Sequence, residues 1–446
     1  MSLEVHIEKK LNGFTLRSDF TAGNTATAIL GASGCGKSMT LRCIAGIVKP
    51  DKGRIVLDGR VLFDSEQHID LPPQQRGVGL LFQNYALFPN MTVEQNILCG
   101  LKAERDKAAR KARCAGMLRA LRLEELADRR PAELSGGQQQ RTALARILVG
   151  KPKILMLDEP FSALDSYLRE EVEGEVGSLL AGFDGTALLV THNRDEAYRL
   201  CRDMIVMDGG QVLRTGTTKE VFADPHSTAA ARLTGCKNIL PCTRVDAHSV
   251  RLTGCESLLH LAAEVPEGCT AVGIRAHDFA PCAPGAENAL PVGLLSASEN
   301  PFDWNLIFQL PDGTTRLWWK VSKTTLSVAE PDAPACLSAP PVKAHLHLHL
   351  PAAGSPYALS SKCVSLNSRI VSYSGRISGL TLCSMLMTVK PSVRSSWDKI
   401  FWLLPLSILA VASSRKMTRL FSVSTRASAS FCRSPPDRLP FVFWNT

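Results

Sequence analysis

Three features that define large protein classes are missing from this sequence. The 14 cysteines include no Cys-x-x-Cys pair and no zinc-like spacing, which argues against a structural zinc site and a thioredoxin-like redox motif. No apolar run approaches the ~20 residues needed to span a bilayer, and the best candidate, residues 400–412, is interrupted by Pro405. No signal peptide is evident at Met1–Glu4. We therefore expect a cytosolic protein with reduced thiols that meets membranes only through partners.

Acidic residues are scarce in the C-terminal part of the chain. Residues 353–446 contain 12 Lys and Arg, 2 Asp and Glu and 20 Ser, whereas residues 1–352 contain 39 basic and 40 acidic residues. The formal net charge of +9 therefore belongs to the tail, and we expect no nucleic-acid partner. The lack of acids, the many serines and the absence of a sustained period predict that residues 351–446 are disordered or arise from a shifted reading frame.

A glycine-rich octapeptide carries the strongest functional signal. It consists of Gly31, Ala32, Ser33, Gly34, Cys35, Gly36, Lys37 and Ser38, and it fits the phosphate-loop pattern G-x-x-x-x-G-K-[ST]. An apolar run at 25–30 predicts a strand before the loop, and residues 39–45 predict a helix after it. The loop N–H groups would cradle a polyphosphate, with Lys37 at the β- and γ-phosphates and Ser38 on Mg²⁺.

A second helix start with affinity for anions follows about 100 residues later. It is formed by Ser135, Gly136, Gly137 and Gln138. Ser135 and Gln138 have the spacing of a capping box, and the two glycines leave the helix N-terminus bare. A single nucleotide pocket does not need two such helix ends, so the second one could serve the nucleotide of another molecule.

Two further apolar runs are expected to bring polar side chains to the same sheet edge. The run at 153–157 ends in Asp158 and Glu159, and the run at 187–191 is followed by His192. Ligands of doubly wound sheets collect at the carboxyl ends of the strands. Asp158 therefore fits a Mg²⁺ partner, and Glu159 fits a base that polarises the attacking water. His192 fits a donor to the γ-phosphate.

The ordered set of motifs resembles the ATP-binding subunits of ATP-binding-cassette (ABC) transporters. The resemblance covers residues 1 to about 230 and adds Gln83 as the Q-loop residue and Asp165 within the D-loop 162–165. It implies an α/β ABC ATPase domain of the P-loop NTPase class at 1–232, with a helical subdomain at about 84–150.

Roles for individual residues follow from the same resemblance. It implies that Glu159 is the general base and that His192 is the γ-phosphate switch. Gln83 would link Mg²⁺ to the membrane subunits, and Asp165 would make a contact across a dimer. No tyrosine stands where the adenine-stacking aromatic of the family is expected, and Phe14 is a weak substitute.

Partners also follow from the resemblance. It implies a head-to-tail homodimer in which Ser135, Gly136 and Gly137 of one protomer close over the ATP on the phosphate loop of the other. The expected complex adds integral-membrane permease subunits and an extracellular or periplasmic substrate-binding protein. The chain itself would lie at the cytoplasmic face of the membrane.

Two segments resemble one branch of the family. Residues 58–83 and 232–240 resemble molybdate importers, which append a small all-β domain of the OB-like barrel type, expected here at 233–350. The first expectation is therefore an ATPase that powers oxyanion import, with molybdate as the anion. Sulfate, iron(III) and polyamine importers, a soluble non-transport ABC ATPase and a regulatory oxyanion-binding protein stay open. The family would end on a strand near residue 350, where this sequence has alternating histidines at 345–349.

Overall fold

The computed structural model describes residues 2–101, 104–162, 164, 166–255, 257–325, 336–339 and 345–348. For residues 166–168 and 345–348 it describes the backbone alone. Asp165 and the tail at 351–446 lie outside the described residues, so the predictions made for them stay untested. Among the described residues, no helix combines the length and the apolar character needed to cross a bilayer.

One sheet of 11 strands organises the N-terminal half of the chain, in the order β6-β5-β4-β1-β2-β11-β10-β3-β9-β8-β7. Its strands are β1 (Leu3–Leu11), β2 (Phe14–Ala22), β3 (Ala26–Gly31), β4 (Lys52–Leu57), β5 (Arg60–Asp64), β6 (Ile69–Asp70), β7 (Val78–Leu81), β8 (Ile154–Asp158), β9 (Thr186–Thr191), β10 (Asp203–Asp208) and β11 (Gln211–Thr217). The neighbours β10, β3, β9, β8 and β7 pair in parallel. Strands β8 and β9 are buried throughout, which explains their continuous apolar runs.

Eight helices accompany the sheet among the described residues. They are α1 (Lys37–Ala45), α2 (Val93–Cys99), α3 (Lys107–Ala120), α4 (Gly136–Leu148), α5 (Ser166–Ala181), α6 (Arg194–Leu200), α7 (Thr218–Ala223) and α8 (Thr228–Leu233). Helices α2, α3 and α4 share a small core of their own that includes Val93, Ile97 and Leu118. This core lies within the span predicted for the helical subdomain, whose boundaries remain a prediction.

The remaining described strands form a small all-β region, called the β domain below. They are β12 (Asn238–Arg244), β13 (Ser249–Leu252), β14 (Leu258–His260), β15 (Ala271–Ile274), β16 (Ala280–Pro281), β17 (Ala289–Pro291), β18 (Gly293–Glu299), β19 (Asp303–Gln309), β20 (Arg316–Ser322), β21 (Cys336–Ser338) and β22 (His345–Leu348). They pair into three sheets, one of five strands and two of three, around a core that includes Phe308 and Trp319. The histidine-rich segment forms β22, which pairs with β15.

The carboxyl end of helix α1 is held by a buried arginine from a distant part of the chain. The Arg76 side chain is fully buried, and its Nη1 donates to the carbonyl oxygens of Cys43 and Ile44 at 2.9 and 3.0 Å. Its Nε donates to the Leu71 carbonyl at 2.7 Å, and its Nη2 donates to Asp70 Oδ1 at 2.9 Å. A cation at this end also opposes the negative end of the helix dipole.

We expect Arg76→Ala to lower the free energy of unfolding by roughly 3 kcal/mol, because several buried carbonyl oxygens lose their donor. Urea unfolding followed by circular dichroism measures this change. Arg60→Ala is the matched control, because Arg60 is exposed at the start of β5 and an exposed substitution changes stability by about 0.5 kcal/mol or less. Equal unfolding midpoints for the two variants would show that Arg76 does not stabilise the fold.

Candidate functional site

The phosphate loop joins the end of β3 to the start of α1, as the sequence predicts. Gly36 is the N-cap residue of α1 and has a φ of 107°, which is the left-handed region that favours glycine. A Cβ atom there would also lie 2.7 Å from Leu16 Cδ1. A Cβ atom on Gly31 would collide with the Met207 carbonyl oxygen. Both ends of the loop therefore favour glycine, Gly31 because backbone blocks a side chain and Gly36 because of its positive φ.

The Lys37 amine lies over the loop that it is predicted to serve. Its Nζ donates to the Gly31 and Ala32 carbonyl oxygens at 2.8 and 2.9 Å, and the side chain is buried. An ammonium group has three donors, so one donor is free as the loop stands, and the other two become available when a ligand displaces these carbonyl oxygens. The positive charge is thus fixed at the loop, where a polyphosphate would need it.

The strands bring the loop and the first acidic residue into direct contact. Ser38 Oγ donates to Asp158 Oδ1 at 2.7 Å, although 120 residues separate them along the chain. Burial is the main cause that raises the pKa of Asp158, and the hydrogen bond from Ser38 opposes it. A buried carboxylate beside a hydroxyl is a pair of oxygen ligands of the kind that Mg²⁺ prefers. These two residues therefore fit a magnesium ion.

Glu159 and His192 also meet. His192 Nδ1 lies 3.3 Å from Glu159 Oε2, with the Glu159 side chain 17% exposed and the His192 side chain 54% exposed. Glu159 has a φ of 45°, and its N–H donates to the Val190 carbonyl at 3.0 Å. A non-glycine residue in this conformation is strained. The strained backbone of Glu159 directly follows β8, and its side chain lies next to His192.

A network that the sequence prediction missed holds the His192 loop. Thr191 Oγ1 donates to Glu196 Oε2 at 2.5 Å, and Asn193 Nδ2 donates to Glu196 Oε1 at 3.1 Å. The Asn193 N–H donates in turn to Thr191 Oγ1 at 2.9 Å, and Glu196 is buried. The sequence contains a local signal for this network, because Asn193 caps α6 and Glu196 lies in the first turn of that helix.

Gln83 contacts the segment after β8. Its Nε2 donates to Ser162 Oγ at 3.2 Å, and Ser162 Oγ donates to the Glu159 carbonyl at 3.0 Å. Within the described part of the chain, no hydrogen bond joins Gln83 to Ser38 or Asp158. The role of Gln83 as a magnesium ligand therefore stays a prediction.

The second anion-seeking helix start has the predicted capping box. The Ser135 N–H donates to Gln138 Oε1 at 2.9 Å, and the Gln138 N–H donates to Ser135 Oγ at 3.4 Å. Among the described residues, no hydrogen bond or ion pair joins Ser135, Gly136, Gly137 or Gln138 to the phosphate loop. The structure thus joins Ser38 to Asp158 and pairs Glu159 with His192, whereas no hydrogen bond or ion pair within the described part of the chain links this helix start to those residues.

Phe14, the weak candidate for an adenine contact, lies next to the loop. Its Cε2 is 3.7 Å from the position of a Cβ on Gly36, and its ring also approaches Gly210. The side chain is half-buried. Its position is compatible with contact to a base, and the role stays a prediction.

Comparisons with known proteins place these motifs in a family. The sequence profile described as ABC transporter matches residues 16–162. The spermidine/putrescine import ATP-binding protein PotA of Oleidesulfovibrio alaskensis is 44% identical over 215 residues, which cover 48% of this chain and 56% of that protein. PotA of Bacillus cereus is 41% identical over 240 residues, 54% of this chain and 71% of that protein. PotA of Vibrio cholerae is 40% identical over 259 residues, 57% of this chain and 67% of that protein.

A solved structure is also similar. It is described as a dimeric structure of a post-hydrolysis state of an ATP-binding cassette bound to ADP and Pi. It is 27% identical, has a TM-score of 0.42 and covers 49% of this chain and 99% of that chain. The match to the first PotA spans little more than half of that protein.

Proposed function

The chain belongs to the ABC transporter family of ATP-binding proteins, and we propose on that basis that it hydrolyses ATP to power import through membrane permease subunits. The observation that carries the proposal is the 2.7 Å hydrogen bond from Ser38 Oγ to Asp158 Oδ1. This contact joins the phosphate loop to the strand end that bears both acidic residues, so that one site contains the groups for binding and for hydrolysis.

Each side chain of the site has a separate proposed role in hydrolysis. The Lys37 ammonium group would release the Gly31 and Ala32 carbonyl oxygens and hydrogen-bond to phosphate oxygens instead. Its positive charge would neutralise part of the negative charge of the phosphates. Ser38 and Asp158 would hold Mg²⁺, which supplies further charge neutralisation at the phosphates when it is bound. Glu159 would take the proton of the attacking water. His192, 3.3 Å from Glu159, would donate to the γ-phosphate.

We propose a homodimer because, among the described residues, the capping box forms no hydrogen bond or ion pair with the phosphate loop of its own chain. Ser135, Gly136 and Gly137 of one protomer would then close over the ATP of its partner, since a bare helix N-terminus attracts phosphate. The proposed regions are an ABC ATPase domain at 1–232 and an accessory β domain at 233–350. Permease subunits and a substrate-binding protein would complete the complex, with this chain at the cytoplasmic face of the membrane.

The comparisons favour a polyamine as the imported substrate over molybdate. The three reported relatives are named as spermidine/putrescine import proteins and are 40–44% identical to this chain. Oxyanion import, with molybdate as the anion, is the second candidate, because residues 58–83 and 232–240 resemble molybdate importers. The two candidates share the same hydrolysis site and differ only in the cargo.

Uptake in a strain deleted for this gene separates the candidates. We expect the complemented strain to regain uptake of labelled putrescine and spermidine, and complementation with Glu159→Gln to restore none. Uptake of labelled molybdate alone would favour the second candidate. If the wild-type gene restores neither cargo while the purified protein hydrolyses ATP, the import proposal fails and the ATPase proposal stands.

A further inference from the structure

A cleft lies between the ATPase domain and the β domain. It has a volume of about 650 Å³ and is bordered by α6 and α7 on one side and by residues 275–277 and β20 on the other. Small-molecule sites typically measure about 300–1,000 Å³. None of the described residues that line the cleft belongs to the phosphate loop, and none is Asp158, Glu159 or His192. The cleft is therefore separate from the hydrolysis site.

Positive charge is concentrated in this cleft. Residues 1–352 carry 39 Lys and Arg against 40 Asp and Glu, so this part of the chain has no basic excess as a whole. The Lys, Arg and acidic residues that line the cleft are Arg194, Lys219, Lys237, Arg275, Lys320 and Asp195. Five positive charges and one negative charge around one concavity attract anions.

Two of the lysines are available to a ligand. Lys219 and Lys237 are both exposed, and within the described part of the chain neither forms an ion pair. Arg194 and Lys320 differ from them, because Arg194 Nε lies 3.4 Å from Asp195 and Lys320 Nζ lies 2.9 Å from Asp303. The cleft therefore retains unneutralised positive charge.

Arg275 links the two sides of the cleft. Its Nη1 donates to the Thr234 carbonyl at 2.9 Å, and its Nη2 donates to the Phe222 carbonyl. Its guanidinium carbon lies 5.6 Å from the centre of the Phe222 ring. Burial is the main cause that lowers the pKa of Arg275. The neighbouring Cys236 and Asp278 oppose this shift, and the positive charge of Arg194 adds a smaller lowering. An anion placed between these two guanidinium groups would relieve their repulsion.

Aromatic rings border the same space. Trp318 is half-buried, and its backbone is held on both sides by Asn238. The Trp318 N–H donates to Asn238 Oδ1 at 2.6 Å, and Asn238 Nδ2 donates to the Trp318 carbonyl at 2.9 Å. Tyr198 is 49% exposed and packs edge-on against Phe222 with ring centres 4.9 Å apart. Such fixed rings offer faces for stacking of a planar group.

We propose that this cleft binds a nucleotide, a small ligand that joins a phosphate to a planar ring. Lys219 and Lys237 pair with the phosphate, and Trp318 stacks on the ring. A tetrahedral anion alone would leave most of the cleft unfilled and would not stack on Trp318. The inference does not rest on the import function, because none of these residues belongs to the proposed hydrolysis site.

Calorimetric titration of the full-length protein with guanosine monophosphate (GMP) tests the site. This probe has a single phosphate, whereas the phosphate loop holds β- and γ-phosphates. We expect the wild-type protein to bind one GMP. The double variant Lys219→Glu and Lys237→Glu should weaken binding about tenfold or more, because two charge-assisted contacts become repulsive. The control variant Lys107→Glu and Lys111→Glu has the same charge change on exposed positions of α3 and should shift binding less than twofold.

Further measurements locate the probe. Trp318→Leu should weaken GMP binding about tenfold without changing the affinity for inorganic phosphate. ATP hydrolysis by the Lys219→Glu and Lys237→Glu double variant shows that this variant is folded. Absence of GMP binding to the wild type, or equal binding by both double variants, would overturn the proposal. Loss of GMP binding in Lys37→Ala would place the probe at the phosphate loop and overturn it too. Phosphate binding as tight as GMP binding would overturn the nucleotide class.

Discussion

Glu159→Gln is expected to reduce ATP turnover by at least about 100-fold, because a general base typically contributes a factor of about 10²–10⁴. Glutamine keeps the size of the side chain and can still hydrogen-bond to His192, but it cannot take a proton from water. ATP binding should be retained, since Lys37 and Ser38 are unchanged. Phosphate release and ATP binding, measured on the same purified variant, separate the two effects.

The same variant tests the proposed dimer. With hydrolysis blocked, ATP should remain between two protomers, and size-exclusion chromatography should show a dimer only when ATP is present. Adding Ser135→Arg should abolish that dimer, because the side chain would occupy the space of the phosphate. Loss of the Ser135 cap costs about 1 kcal/mol, so a thermal unfolding midpoint confirms that the double variant is folded.

Glu267→Gln is the matched control for the Glu159 substitution. Glu267 is exposed in the β domain, and the same chemical change there should leave turnover within about twofold of the wild type. Near-normal turnover in Glu159→Gln would mean that another group activates the water. An ATP-independent dimer, or a dimer that persists with Ser135→Arg, would contradict the assignment of the capping box to the nucleotide of the partner.

Lys37→Ala is expected to weaken ATP binding by about 100-fold. Two charge-assisted hydrogen bonds to phosphate contribute about 1.5 kcal/mol each, and 1.4 kcal/mol corresponds to a tenfold change in affinity. The loss should be larger for ATP than for AMP, because Lys37 is assigned to the β- and γ-phosphates. Calorimetric titration with both nucleotides measures this difference.

Lys52→Ala serves as the control for Lys37→Ala, since Lys52 is exposed at the start of β4 and should leave both affinities unchanged. The Gly31 and Ala32 carbonyl oxygens lose their donor in Lys37→Ala, so its unfolding midpoint is measured alongside. Equal losses of ATP and AMP affinity would point to a collapsed loop rather than to lost phosphate contacts.

The prediction of the imported substrate rested on a resemblance over two short segments. Residues 58–83 and 232–240 favoured molybdate import, whereas relatives matched over 215 to 259 residues are named as spermidine/putrescine import proteins. Neither segment contacts a cargo in the proposed assembly, because the permease and the substrate-binding protein would contain the cargo site. Similarity of the ATPase therefore constrains the energy source more strongly than the substrate.

The sequence by itself determined the parts of the site that depend on neighbouring residues. The glycine pattern of the phosphate loop, the capping box at Ser135 and the buried strands that end at Asp158 and precede His192 were all predictable. Each depends on local backbone geometry or on the rule that parallel strands present their carboxyl ends at one edge. The α/β fold with an appended all-β domain is confirmed, but the all-β domain was expected from the resemblance to importers and not from these local patterns.

Tertiary structure alone decided the contacts between distant segments. Arg76 reaches the end of α1 from 33 residues away, Gln83 contacts Ser162 across 79 residues, and the basic cleft gathers side chains from positions 194 to 320. No periodicity links such positions, because their proximity depends on the strand order of the sheet and on the packing of the β domain against α6 and α7.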